Sequence, residues 1–150
     1  MIIVQIPNKT DCYYILEMLE SGLIDFSYIH PWAYKLIKES ELPPSWLCDM
    51  AIKEYQGDQI KALCEYIFKE PFVPEPVDMV KFHVGCLWLR YERREYSWAS
   101  FLHEAGEYLD AADGDWDCET LFHYLNVYED SYFSVESEKS TKQQYLADHD

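Results

Sequence analysis

The sequence predicts an all-α fold, a single-domain irregular bundle of about six to eight helices whose opening segment admits one short N-terminal strand. Three observations carry this expectation. Apolar residues recur at intervals of three and four along most of the chain, and cap and stop residues punctuate those runs. The third is size: 150 residues, 49% of them hydrophobic, suffice for one core. A chain of that length removes roughly 70% of its unfolded surface from water.

Met1-Ile-Ile-Val-Gln-Ile-Pro7 is the candidate strand; it lacks the basic flank and cleavage site of a signal peptide and is far too short to span a bilayer. The first helix follows Asp11, with Tyr14, Ile15, Met18 and Leu19 inward, Glu17 and Glu20 elsewhere, and Gly22 as the stop. A second is expected from Pro31, which suits a first helical turn, with Trp32, Leu36 and Ile37 inward and Pro43-Pro44 closing it. The third groups Trp46, Leu47, Met50 and Ala51, and Asp58 reads as the cap of a fourth carrying Ile60, Leu63, Cys64 and Ile67. Pro71, Pro74 and Pro76 then make a stiff connection near 71–76 between two packed halves of one core.

Between Phe82 and Leu89 there is no formally charged residue with His83 neutral, and Val77, Val80, Val84, Leu87 and Tyr91 keep helical spacing, so this is the expected central helix. It closes among Arg90, Arg93 and Arg94. Cations in a last turn gain about 0.3–1 kcal/mol each from the helix dipole, and that reading is preferred to a basic binding patch. Ser97 is the expected cap of a helix with Trp98, Phe101, Leu102, Ala105 and Leu109 inward. After Asp113-Gly114 a last core helix carries Leu121, Phe122, Leu125 and Tyr128. Residues 134–150 read as a polar tail, mobile or ending in a short helix.

Formal charge is -16, from 28 acidic and 12 basic side chains. Residues 1–100 carry 15 acids and 10 bases and residues 101–150 carry 13 and 2, so eleven of the sixteen excess charges fall in the last third. Such a field repels nucleic acid phosphate and anionic membrane and steers cationic partners inward. Five widely spaced cysteines, odd in number and without a Cys-x-x-Cys, argue against a disulfide framework or zinc ribbon. They are expected to be reduced and buried in a cytoplasmic protein.

The densest acidic stretch is Asp110-Ala-Ala-Asp113-Gly-Asp115-Trp116-Asp117-Cys-Glu119. Read from Asp113, a calcium loop would need glycine at Cys118 and a bidentate glutamate at Tyr124, and has neither. One aspartate, Asp115 or Asp117, suffices to cap the following helix. The excess reads as an acidic platform around Trp116, continued by Tyr128, Glu129, Asp130 and Tyr132. Aromatic anchors among carboxylates suit a Lys/Arg-rich protein surface. The candidate partner-binding residues are therefore Asp110, Asp113, Asp115, Trp116, Asp117, Glu119, Tyr128, Glu129, Asp130 and Tyr132. His103 and Glu107, one turn apart, form half of a zinc-protease helix whose second histidine is absent, and His83 or His123 is not placed to complete it. Glycine-rich phosphate loops and Gly-x-Ser-x-Gly elbows are missing, and no catalytic residue, metal or cofactor is expected.

The stretches Leu19-Glu-Ser-Gly-Leu-Ile24, Trp32-Ala-Tyr-Lys-Leu-Ile37 and Leu42-Pro-Pro-Ser-Trp46-Leu47 resemble the opening helices of small acidic bacterial immunity proteins. These neutralise polymorphic or contact-dependent toxins. The resemblance implies a cytoplasmic, non-enzymatic protein that binds one cognate toxin domain and blocks it; many such toxins are basic nucleases. Two further readings stand beside it. One is a nucleic-acid mimic that inhibits a DNA-binding enzyme, disfavoured because the charge is concentrated at one end. The other is a metal-dependent enzyme using His103, Glu107 and a distant histidine.

Overall fold

The computed structural model describes residues 5–71, 79–112 and 117–148. They form eight helices: α1 (Lys9–Glu20), α2 (Phe26–Glu39), α3 (Ser45–Ile52), α4 (Gln56–Ile67), α5 (Met79–Glu92), α6 (Trp98–Ala111), α7 (Cys118–Asp130) and α8 (Val135–Asp148). The fold is all-α, with no strand among the described residues. Residues 1–4 of the candidate strand lie outside them, as do residues 72–78 of the proline-rich connection. The chain divides into two compact units, Met1–Met79 and Val80–Asp150. No described helix is long and apolar enough to cross a membrane.

In the first unit α1 starts before the expected Asp11, because Asn8 and Asp11 form a reciprocal capping box: the Asp11 N–H donates to Asn8 Oδ1 at 2.8 Å and the Asn8 N–H to Asp11 Oδ2 at 3.3 Å. Gly22, with φ 80°, follows its end as the sequence implies. The buried stripe is Cys12, Leu16 and Leu19, and Glu17, expected elsewhere, is buried too. Helix α2 starts a turn ahead of Pro31, capped by Asp25, whose Oδ1 accepts the Ser27 N–H at 2.9 Å. Pro31 therefore sits inside the helix, and the bond its missing N–H would make to the Ser27 carbonyl is forfeited. The extra turn makes Ile29 and Ala33 the buried pair, with Trp32, Leu36 and Ile37 flanking them.

Asp58 does not cap α4. The Tyr55 carbonyl accepts the Asp58 and Gln59 N–H groups at 3.1 and 3.2 Å, so Asp58 falls inside the first turn, where the dipole favours its charge. Two glutamines of α4 satisfy carbonyls near the ends of other helices. Gln56 Nε2 donates to Leu19 O, and Gln59 Nε2, fully buried, donates to Met50 O at 3.2 Å. Trp46, Leu47 and Met50 of α3 close the core over Leu63 and Ile67.

In the second unit α6, not α5, is the most buried helix. It buries Trp98, Phe101, Leu102, Ala105 and Leu109, as its spacing predicts, together with Gly106. The apolar residues of α5 are spread around its circumference, leaving Leu89 exposed and His83, Val84, Cys86 and Leu87 buried. His83 is committed to packing, its ring 3.7 Å from that of Tyr108 and nearly parallel to it. Gly106 lets α7 approach: a Cβ there would lie 2.6 Å from Phe122 Cε1.

The polar segment after residue 134 is a fourteen-residue helix. It opens on Ser134, whose Oγ accepts the Ser137 N–H at 3.1 Å. It is held by buried Tyr145, stacked on Trp88 with centroids 5.4 Å apart, and by Thr141, whose hydroxyl oxygen accepts the Trp98 indole N–H at 2.9 Å. None of the five cysteines is in a disulfide, and only Cys12 and Cys86 are buried; Cys48, Cys64 and Cys118 are half-buried. Burial pushes the Cys12 thiol up to about 12.

Candidate partner-binding surface

The acidic stretch spans the end of α6 and the start of α7. Asp110 is exposed in the last turn of α6, and Cys118 Sγ lies 3.8 Å from its Oδ1, which brings the two helix ends together. Burial and then the Asp110 charge raise the Cys118 thiol above its usual range. Of the two candidate caps, Asp117 takes the role: Oδ1 accepts the Glu119 N–H at 2.9 Å and Oδ2 the Thr120 hydroxyl at 3.5 Å. Glu119 is exposed in that first turn. Asp113, Asp115 and Trp116 lie outside the described residues.

Tyr128, Glu129, Asp130 and Tyr132 stand at the other end of α7. Thirteen helical residues separate Asp117 from Asp130 by about 20 Å at 1.5 Å per residue. The described members of the candidate site thus fall into two clusters, one at each end of the helix, and do not form one continuous ring.

The second cluster is built by an unusual helix end. The Tyr132 N–H donates to Glu129 O at 2.9 Å and the Phe133 N–H to Tyr128 O at 3.0 Å, a pattern that needs a left-handed residue after the helix. Glycine usually supplies it. Here Tyr132 (φ 57°) and Phe133 (φ 59°) adopt that conformation in succession. Each such residue costs about 1–2 kcal/mol. Ser131 helps hold the turn, its hydroxyl donating to Tyr128 O at 2.6 Å while its Oγ accepts the Ser134 N–H at 3.2 Å.

The geometry presents apolar surface to solvent. Tyr132 is 92% exposed, Phe133 54% and Val135 68%. Glu129, Asp130 and Glu136, all exposed, stand among them in the chain. Tyr128 is 7% exposed and meets the Phe133 ring edge-on at 5.2 Å, so it supports this surface from beneath. Burial, then the Glu138 charge, raises the Tyr128 phenol above its usual range. Phe133 and Val135 were missed from the sequence. The available signal was two consecutive aromatics, without glycine, where a helix must end.

On α6, His103 Nε2 and Glu107 Oε1 lie 3.9 Å apart, both exposed. Among the described residues no group of three His, Cys, Asp or Glu side chains gathers as a metal site. Fold and surface together define an acidic all-α protein with a strained, exposed aromatic turn. No protein family, curated protein or solved structure matches the chain.

Proposed function

We propose that this chain is a cytoplasmic immunity or antitoxin protein that binds a basic cognate toxin domain, of the nuclease kind, and inhibits it by occlusion and not by catalysis. The observation that carries the reading is the turn after α7, where two aromatics are held exposed, against their backbone preference, among carboxylates. Strain of this kind persists where surrounding structure enforces it and concentrates at functional positions. Aromatics would supply the desolvated contacts, and a chain of charge -16 would steer a cationic partner toward them.

This reading predicts a toxin domain encoded beside this protein, and the test uses that domain. Capture has to outrun the toxin, so the expected affinity is about -12 kcal/mol or tighter, with an association rate that falls as salt rises. Two variant sets separate the ends of α7. Asp113, Asp115 and Asp117 are changed together to Asn in one, and Tyr132 and Phe133 to Ala in the other. The aromatic pair is expected to cost about 2 kcal/mol or more, roughly thirtyfold in affinity. If both sets protect cells as well as the parent chain does, the proposed face is refuted.

A further inference from the structure

Three arginines close α5, and Glu95 neutralises only two of them. Its Oε2 lies 2.7 Å from Arg93 Nη2 and 3.8 Å from Arg90 Nε, and the Arg90 guanidinium also covers the Tyr96 ring at 4.8 Å. Arg94 makes no side-chain hydrogen bond or ion pair among the described residues. It occupies the left-handed position of the helix end, φ 62°, fixed by the Glu95 N–H donating to Arg90 O at 3.0 Å. That conformation places Arg94 on the wall of a crevice of about 790 Å³. Small-molecule sites span roughly 300–1,000 Å³.

A second cation faces the same space. Lys142 Nζ lies 4.9 Å from the Tyr91 centroid and 5.6 Å from that of Trp88, and it too has no ion pair among the described residues. Ser97, also on the wall, caps α6 by accepting the Ser100 N–H at 3.2 Å. The next two N–H groups, of Trp98 and Ala99, have no intrahelical acceptor and add partial positive charge.

The remaining wall is anionic. Glu138 Oε1 accepts the Tyr91 hydroxyl at 2.6 Å and Glu92 Oε1 accepts the Trp88 indole N–H at 2.9 Å. Each carboxylate is oriented through one oxygen, which leaves the other able to accept from a ligand. Burial, and then the bond to Glu138, push the Tyr91 phenol well above its usual range. Two cations and two anions thus line a crevice that balances to zero in a chain of charge -16.

We propose that this crevice binds a small zwitterion of the amino-acid or dipeptide class, its carboxylate held by Arg94 and Lys142 and its ammonium by Glu92 and Glu138. A cationic side chain alone would meet Arg94 and Lys142, and a phosphate dianion would meet Glu92 and Glu138. Only a ligand carrying both charges satisfies both walls. The inference does not depend on toxin binding.

The test follows the indole ¹H–¹⁵N resonance of Trp88, assigned with Trp88→Phe, while full-length protein is titrated with glycylglycine, acetate or inorganic phosphate. Glycylglycine should shift it saturably, with a midpoint near about 1 mM and at least about tenfold below that of acetate. Arg94→Gly should weaken this about tenfold or more and leave the helical spectrum intact, because glycine adopts the left-handed backbone freely. Lys142→Gln should weaken it similarly, and Lys142→Arg should retain it. The proposal is overturned by the absence of a saturable shift, by acetate or phosphate binding as tightly as glycylglycine, or by undiminished binding to Arg94→Gly.

Discussion

Tyr132 carries a backbone cost that its side chain does nothing to offset within the fold. Its φ is 57° and it is 92% exposed, so truncating the ring removes almost no packing. The left-handed conformation costs an L-residue about 1–2 kcal/mol. Glycine avoids that cost but loses about 0.5–1 kcal/mol more backbone entropy on folding. Tyr132→Gly should therefore stabilise the protein by about 0.5–1 kcal/mol, a rise in Tm of about 1–4 °C for a chain of this length. Tyr132→Ala is the control, since it deletes the ring and keeps the Cβ that creates the cost. Its stability should stay within about 0.5 kcal/mol of the parent. The assay is urea and thermal unfolding of the three proteins side by side. Equal stability of the glycine and alanine variants, or a less stable glycine variant, would refute the strain argument. Phe133→Gly sharpens the comparison: relief at φ 59° is offset by loss of the edge-on contact to Tyr128, worth about 0.5–1.5 kcal/mol, so its net change should be near zero.

Three other outcomes follow from the second unit and from the buried acids. Gly106→Ala gains about 1 kcal/mol of helix propensity but drives a methyl into the Phe122 ring, an overpacking cost of about 1–3 kcal/mol. Denaturant unfolding should show a net loss of about 1 kcal/mol that disappears in a Phe122→Leu background. Thr141→Val strands the buried Trp98 indole N–H and should cost about 1–3 kcal/mol, read by the same unfolding curves. The third concerns alkaline pH. Burial raises Cys12 from 9.0 and Tyr145 from 10.0, each to about 12, and burial with an Asp148 bond takes Tyr124 to about 12. These groups fold in their neutral forms, so their contribution is complete below the unfolded pKa and is lost as pH rises through the folded one. Ellipticity should fall between about pH 9 and 12, together with the late part of the tyrosinate absorbance. Tyrosinate forming in full while the helical signal is unchanged would contradict this.

The fold class was legible because most helices bury a stripe that recurs every three to four residues, as in α6, where every residue expected inward is buried. Ser97 was readable as a cap, and Asp117 as one of two candidates, for the same local reason, a short acceptor side chain beside the first free N–H groups. Pro31 and Asp58 misled because both residue types suit more than one place in a first or second turn. The choice fell to neighbours, Asp25 for α2 and the Tyr55 carbonyl for α4. The burial order of α5 and α6 was hidden because absence of charge was taken for burial, although Leu89 turns outward.

The candidate surface was half legible. Acidity marked both ends of α7, but sequence adjacency cannot show that a helix of thirteen residues holds them apart. Tyr128, read both as core and as part of the surface, is buried, and exposed Phe133 was missed because the backbone after Asp130 turns left-handed, which two aromatic residues do not advertise. The crevice by Arg94 was invisible because it joins α5, the α6 cap and α8 through residues far apart in the chain.

Helix α8 has a consequence for the protein's lifetime. Few of its side chains are apolar, and it is pinned by Tyr145, Thr141 and the hydroxyl bonds from Tyr91 to Glu138 and from Tyr124 to Asp148. A segment that buries so few apolar side chains is expected to open locally at a lower free energy than its whole unit, which amide hydrogen exchange would read. When it does, Trp88, Trp98 and Phe101 lose the ring of Tyr145 that covers them. Turnover in a cell would then be paced by how often these fourteen residues open and bare that aromatic cluster to proteolysis.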